Sequence, residues 1–240
     1  MSFVHGSNAR VYVNGFNLSA FLKSVSSSNE VGAHESTTFG ATAKTYLPGL
    51  EDATLSAEGL FSGAVGATDA VLFAALRGRS PVVWNWLPSG DVDGGFGYGL
   101  LALETSYEIE TPVDDLVSVS AEAQSNVGRE RVQILHPLTA RTATGEGASR
   151  DNTAATTAGG VGYLQVIAVT GGSPSMTVKI QHSVDAAAWV DLITFTAVTA
   201  SNNAQRIMVA NAVNRHIRAT RTISGTGPPS FTFFAAFGRY

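Results

Sequence analysis

Short runs of alternating apolar and polar residues follow one another along the chain. Residues 53–61, 100–111 and 116–124 alternate in this way, as half-buried β-strands do. Arg10–Val13 is a further apolar run, and the Asn14-Gly15 dipeptide after it suits the positive φ angles of a type I′ hairpin turn. The pattern therefore predicts short strands joined by tight turns.

One segment has a helical period instead. In residues 68–77 the side chains of Leu72, Ala75 and Leu76 fall on one helical face. Thr68 stands where a residue could cap the first turn, and Gly78 stands where one could end the last. The first half of the chain is therefore expected to contain one short helix.

The second half carries further strand-like segments. They are residues 161–169, 176–183, 189–196, 205–210, 215–223 and 230–237. Turn residues separate them, including Gly171–Pro174 and Gly227–Pro229. The predicted fold class is all-β with one short helix: a β-sandwich or barrel, followed by a small jelly-roll or Ig-like β-sandwich.

A stretch rich in Thr, Ala and Gly lies between the two halves. Residues 139–158 hold almost no side chain that a core would bury, which is typical of a linker. We therefore expect a first domain over residues 1–138, a linker over 139–158 and a second domain over 159–240. The alternative is a long loop within a single domain.

A polar stretch over residues 27–49 is too hydrophilic to belong to a core. Such a segment is either a mobile surface loop or an arm that becomes ordered against another subunit. We treat it as a candidate inter-subunit arm. Its candidate contact residues are Asn29, Glu30, His34, Glu35, Phe39, Lys44 and Tyr46.

Charge is distributed unevenly along the chain. Residues 1–135 hold 15 acidic and 7 basic residues, whereas residues 136–240 hold 4 and 8. An acidic module does not favour binding to nucleic acid, because affinity for phosphates depends on Lys and Arg. We expect no membrane span, since no run of eighteen apolar residues is present. Met1–Tyr12 lacks an apolar signal region, which predicts synthesis in the cytoplasm.

Motifs for catalysis and metal binding are weak. The chain has no cysteine, no G-x-S-x-G elbow, no phosphate-binding P-loop and no H-E-x-x-H helix. Its five histidines are scattered without the spacing of metal ligands. We therefore expect no enzyme activity, no cofactor and no bound metal.

Acidic residues recur at a period of two along one predicted strand. Glu104, Glu108 and Glu110 are expected on one face of residues 100–111, opposite Leu101 and Leu103. A uniform row of carboxylates is typical of a charged surface. An enzyme instead needs two carboxylates of different pKa facing each other across a cleft. The alternatives are an ordinary solvated strand face and, less favoured, a glycosidase site.

The order of features in residues 8–135 resembles the tail tube protein, or major tail protein, of long-tailed bacteriophages. The likeness rests on Ala9–Leu18, the arm at 27–49, Leu50–Phe61 and the helix that opens at Thr68. The second half resembles a small β domain that is often appended to phage structural proteins. That likeness rests on Gly162–Val166, Val178–Ser183, Trp189–Leu192 and Phe231–Phe237.

The resemblance implies a structural virion protein of the tail. Six copies would close into a ring, and rings would stack into a tube through which DNA leaves the capsid without specific binding. Other tail proteins, namely tape measure, terminator and baseplate proteins, are then expected partners. The residues expected on an acidic lumen are Glu104, Glu108, Glu110, Glu58 and Glu122.

Two other functions use the same β architecture. One is a capsid decoration or baseplate protein. The other is a carbohydrate-binding protein whose second domain uses Trp189 and a set of arginines. Those arginines are Arg206, Arg215, Arg218 and Arg221.

Overall fold

The computed structural model describes residues 3–240 and is almost entirely β, which confirms the predicted fold class. The strands are β1 (Arg10–Val13), β2 (Phe16–Asn17), β3 (Leu22–Glu35), β4 (Tyr46–Leu60), β5 (Val82–Leu87), β6 (Phe96–Glu110), β7 (Ser118–Ser125), β8 (Glu130–Arg141), β9 (Gly145–Glu146), β10 (Arg150–Asp151), β11 (Gly160–Ser183), β12 (Val190–Thr194), β13 (Asn203–Val209) and β14 (His216–Arg239). One α-helix, α1, spans Thr68–Gly78. Within residues 3–240, no helix has the length and apolar character needed to cross a bilayer.

The chain divides into two compact units, each built from separate stretches of sequence. Unit 1 comprises the residues up to Ala20, Val83–Gly99 and Glu130–Tyr240, and unit 2 comprises Phe21–Val82 and Leu100–Arg129. The residues expected to form a linker, 139–158, include β9 and β10, and both of these short strands pair with β14. An independently folding domain over residues 159–240 stays a prediction.

Unit 1 is an antiparallel sheet with the strand order β12-β11-β14-β8-β6-β5-β1-β2. β6 enters this unit through Phe96–Gly99, and β13 pairs with β11. The Asn14-Gly15 turn joins β1 to β2, and its φ angles of 48° and 83° confirm the predicted type I′ turn.

The longest ladder of unit 1 joins β11 to β14, each 24 residues long. The predicted turn at Gly171–Pro174 does not end a strand. It lies inside β11, where the register shifts on both sides of Gly172. Gly227–Pro229 lies inside β14 in the same way. Both strands continue, with bulges, through residues that usually form turns. The six predicted strands are therefore four, because β11 and β14 each contain two of them.

A buried amide connects the separate stretches that make up unit 1. Gln165 Oε1 accepts a hydrogen bond from the backbone N–H of Gly15 at 2.7 Å. Its Nε2 donates to the carbonyl of Val83 at 3.2 Å and to Asn85 Oδ1 at 2.9 Å. Because Gln165 is fully buried, these bonds fix the first hairpin and β5 against β11.

Unit 2 is a four-stranded antiparallel sheet in the order β3-β4-β7-β6, with α1 in contact with β7. Its buried side is lined by Leu55, Ala57, Val119, Ala121 and Ala123. On α1 the buried apolar side chains are those of Val71, Leu72 and Ala75. Because the alanine side chains on the sheet are small, the helix packs close to it, and this side of the sheet is excluded from solvent.

The predicted caps of α1 are wrong. Ala67 is the N-cap residue and makes no side-chain hydrogen bond. Thr68 Oγ1 instead donates to the carbonyl of Leu60 at 2.8 Å and accepts from the N–H of Ser62 at 3.0 Å. The helix includes Gly78, and Arg79 takes the left-handed conformation that follows its last turn. Thr68 therefore fastens the helix to the end of β4.

Candidate acidic face and arm

The solvent-exposed side of the unit 2 sheet carries rows of glutamate and serine. In one row Ser120 of β7 pairs with Glu58 of β4 on one side and with Glu108 of β6 on the other. We call the glutamates and serines of this side the acidic face. Its residues are Ser24, Ser26, Ser28, Ser56, Glu58, Ser106, Glu108, Glu110, Ser118, Ser120 and Glu122.

An open groove of about 770 Å³ runs along part of the acidic face. Five carboxylates line the groove, from Glu58, Glu108, Glu110, Asp114 and Asp115. Lys23 is the one basic residue in its lining. Among residues 3–240, none of these carboxylates lies within ion-pair distance of a cation. The groove therefore presents unneutralised negative charge to solvent.

The expectation that Glu104 shares a face with Glu108 and Glu110 is wrong. Glu104 pairs with Ala123 of β7, whereas Ser106 pairs with Glu122, so Thr105 is an extra residue in β6. Such a bulge shifts the alternation of side chains by one position. Glu104 therefore points to the buried side of the sheet, and the later glutamates point to the exposed side.

Burial gives Glu104 an unusual environment. The residue is 3% exposed, and neither carboxyl oxygen has a hydrogen-bond partner among residues 3–240. Desolvation raises the pKa of Glu104 to about 8, because a low-dielectric site disfavours the charged form. Glu104 therefore keeps its proton at neutral pH and adds no charge to a surface.

The predicted arm is a β-hairpin rather than an irregular loop, with a register shift between Val31 and Ala33. β3 and β4 pair from Leu22–Gly59 out to Glu35–Tyr46. At the tip, the N–H of Ser36 donates to the carbonyl of Thr45 at 2.8 Å, and Lys44 Nζ lies 3.0 Å from Glu35 Oε2. The arm of the structure is the outer part of this hairpin, residues 29–52, rather than the predicted residues 27–49.

The arm exposes both polar and apolar side chains. Among its candidate contact residues, Asn29 pairs with Ala53, Glu30 with Asp52, and His34 with Leu47. All seven candidate residues are exposed, with Phe39 at the tip fully so. Sequence reasoning missed further exposed apolar residues, namely Val31, Leu47 and Leu50. The sequence did contain an indication of these residues, because apolar side chains on an arm that projects from the core are expected to be exposed.

β3 is an edge strand. Within the part of the chain that the structure describes, it pairs only with β4. Alternate residues of this strand, which is fourteen residues long, therefore point backbone N–H and C=O groups away from β4, where no described strand pairs with them. An edge of this length together with exposed apolar side chains is typical of a surface that a further chain covers.

The residues considered for carbohydrate binding are engaged within unit 1. The guanidinium of Arg218 lies 4.2 Å from the centroid of the Trp189 ring and covers one of its faces. Arg206, Arg215 and Arg218 each form an ion pair with a carboxylate. Arg221 donates to a backbone carbonyl. This arrangement does not favour stacking of a sugar on an open aromatic face.

No protein-family model matches the chain, and no curated protein matches it. Solved structures that are similar include the SPP1 tail tube, at 12% identity over 54% of this chain and 78% of that chain, with a TM-score of 0.46. The virion of a native gene transfer agent particle matches at 15% identity over 53% and 97%, with a TM-score of 0.45.

The SPP1 Dit protein, a hub of the adsorption apparatus in phages that infect Gram-positive bacteria, matches over almost the whole chain. Its identity is 11% over 96% of this chain and 99% of that chain, with a TM-score of 0.36. These similar proteins are structural components of phage or phage-like tails and particles. All three TM-scores lie below 0.5, so the proposals below rest on this chain's own residues.

Proposed function

We propose that the chain is a structural subunit of a phage tail. In this proposal it assembles into stacked hexameric rings, and the acidic face lines the lumen through which DNA is ejected. The observation that carries the proposal is the acidic face, where exposed glutamates lie on adjacent strands and form no ion pair with any other residue of the described range 3–240. The protein would be a virion component rather than an enzyme, with other tail proteins as its partners.

A negatively charged wall suits a conduit for DNA. Proteins that bind DNA neutralise its phosphates with Lys and Arg, and carboxylates do the opposite. Unit 2 holds twelve acidic and five basic residues, a net charge of −7. Serines fill the positions between the glutamates and add no apolar surface to which a base could stick. The face repels a polyanion along its length, so DNA would pass without being held.

The arm and the β3 edge are the features suited to assembly. An exposed edge strand is a liability in a monomer, and closing a ring with neighbouring copies removes it. The apolar side chains of Phe39, Leu47 and Leu50 would be buried by the same contacts. We propose that the arm is an inter-subunit contact, with its candidate residues facing a neighbouring copy.

Electron microscopy of the purified full-length chain tests the assembly. We expect tubes of uniform bore with sixfold symmetry. Isolated rings would instead support a baseplate role, and monomers at high concentration would contradict self-assembly altogether.

A hairpin-shortening variant tests the arm. Replacing residues 30–52 by Asn-Gly keeps the register that pairs Asn29 with Ala53 and supplies a type I′ turn. The variant should fold but form no tubes, and a variant that still forms tubes would overturn the role of the arm.

Charge neutralisation tests the lumen. Combined Glu58→Gln, Glu108→Gln, Glu110→Gln and Glu122→Gln substitutions should leave tube assembly intact and slow DNA ejection from the assembled particle. The matched control neutralises four exposed carboxylates of unit 1, at Glu146, Asp151, Asp185 and Asp191. Ejection that is unchanged in the first variant, or slowed equally in both, would contradict the assignment of the acidic face to the lumen.

A further inference from the structure

A small pocket in unit 1 contains two arginines, Arg141 and Arg221, that form no ion pair within residues 3–240. The pocket has a volume of about 180 Å³. Its charged and ring-bearing lining residues are Asp93, His136, Arg141, Glu146 and Arg221. It shares no residue with the acidic face.

The carboxylates of the pocket already have partners. Asp93 forms an ion pair with Arg150, and Glu146 forms one with Arg218. Arg141 uses its Nε to donate to His136 Nε2 at 3.1 Å. The Nε of Arg221 donates to a backbone carbonyl at 3.0 Å.

The outer nitrogens of the two pocket arginines are free. Among residues 3–240, the Nη atoms of Arg141 and Arg221 have no hydrogen-bond acceptor and no carboxylate within ion-pair distance. The two side chains are close enough to repel each other. Burial, and after it the charge of Arg141, lowers the pKa of Arg221. Two guanidinium groups thus face one pocket while its two carboxylates, of Asp93 and Glu146, are paired with other arginines.

His136 fixes the direction of one of these arginines. Its ring stacks on Phe233 at 3.9 Å between centroids, and its Nδ1 lies 3.1 Å from the carbonyl oxygen of Phe233. Burial, and then the charge of Arg141, lowers the pKa of His136 to about 4. The ring is therefore neutral at pH 7, with Nδ1–H donating to Phe233 and Nε2 accepting from Arg141.

We propose that this pocket binds a small phosphate-class oxyanion through the outer nitrogens of Arg141 and Arg221. Guanidinium groups recognise tetrahedral and planar oxyanions with paired N–H donors, and two of them supply the charge that such an anion carries. Pockets for drug-sized ligands measure about 300–1,000 Å³, so a pocket of this size suits a single anionic group. Binding would relieve the repulsion between the two arginines.

Titration calorimetry with inorganic phosphate tests the proposal on the full-length chain. Sodium chloride is varied in step, so that ionic strength stays constant while phosphate increases. We expect saturable binding of one phosphate per subunit, with sulfate as a competitor. Arg141→Gln and Arg221→Gln should each weaken the binding by about tenfold or more, because each removes a charge-assisted contact.

The control variant is Arg77→Gln, which removes an exposed arginine of α1 and should leave the phosphate affinity unchanged. Arg141 is itself exposed, so its substitution should not affect folding, and an unaltered thermal midpoint verifies this. Absence of saturable phosphate binding in the unmodified chain would overturn the proposal. Equal weakening by Arg77→Gln would do so as well, because it would show an effect of net charge alone.

Discussion

The two units of this protein treat charge in opposite ways. Unit 1 holds seven acidic and ten basic residues, a net charge of +3, and five of the ion pairs found in the described residues lie in it. Unit 2 has a net charge of −7, and within the described part of the chain no glutamate of its acidic face forms an ion pair. Each unit also buries one glutamate, and the surroundings of these two side chains differ.

The two buried glutamates differ in their partners. Glu130 of unit 1 accepts hydrogen bonds from the hydroxyl groups of Tyr163 and Tyr240 and a bidentate pair of hydrogen bonds from the guanidinium of Arg206. Glu104 of unit 2 accepts no hydrogen bond from any residue that the structure describes. A buried carboxyl group is tolerated either as an ion with its full set of donors or as a neutral acid that keeps its proton. Burial alone does not decide the charge of a glutamate; its donors do.

The largest effect is expected where a paired charge loses its partner. Glu130→Ala leaves the guanidinium of Arg206, whose side chain is 11% exposed, without a counter-charge. We expect the free energy of unfolding to fall by about 3–5 kcal/mol, measured by denaturant titration. Glu146→Ala, which breaks a more exposed pair, should cost less than about 1 kcal/mol. Equal losses in the two variants would erase the contrast between buried and exposed pairs.

A neutral buried group of unit 1 should come next. Gln165→Leu keeps the volume of the side chain but removes the partners of Gly15, Val83 and Asn85. Leaving buried polar groups unsatisfied should lower the free energy of unfolding by about 2–3 kcal/mol. Gln205→Leu is the control, since the hydrogen bonds of that less buried residue exchange with water at little cost. A loss below that of the control would show that the buried amide does not hold the segments together.

Glu104 should respond in the other direction. The pKa of Glu104 is about 8 in the folded protein, above its ordinary value. The stability that this group contributes is therefore fully present below its ordinary pKa and is lost as the pH rises to 8. Glu104→Gln removes the ionisation, so we expect almost no change in the free energy of unfolding at pH 4 and stabilisation by as much as about 4 kcal/mol at pH 9. Thermal unfolding across this range measures it. Glu108→Gln, on the exposed side of β6, is the control, and identical stability profiles for the two variants would contradict the special environment of Glu104.

Sequence patterns predicted much of the unit 2 sheet. Alternation in residues 53–61 and 116–124 places Glu58 and Glu122 on the exposed side, as the structure does. The same reasoning failed within β6, because alternation assumes an unbroken ladder and Thr105 interrupts it. No residue type at this position announces a bulge, since threonine is also common in regular strands. The face of Glu104 therefore could not be read from spacing alone.

Other features depend on contacts between distant stretches of the chain. The hydrogen bonds of Gln165 reach residues about 80 and 150 positions away, which no local pattern records. Gly171–Pro174 has the composition of a turn, yet its partner strand continues opposite it and holds it in the ladder as a bulge. The pairing of two strands, each 24 residues long, outweighed the local preference of these residues for a turn. The Arg141–Arg221 pocket was missed for the same reason, because its residues meet only after β8 and β14 have paired.

Because Thr105 is an extra residue in β6, the number of residues in this strand decides which side of the sheet its later side chains face, more than their identities do. Removing Thr105 would rotate every later side chain of the strand by half a turn, bringing Glu108 and Glu110 inward and Tyr107 and Ile109 out. Point changes to the exposed glutamates leave that orientation intact. Variation in related chains should therefore appear here as exchanges of one polar residue for another, while insertions and deletions collect in the exposed turn before β7.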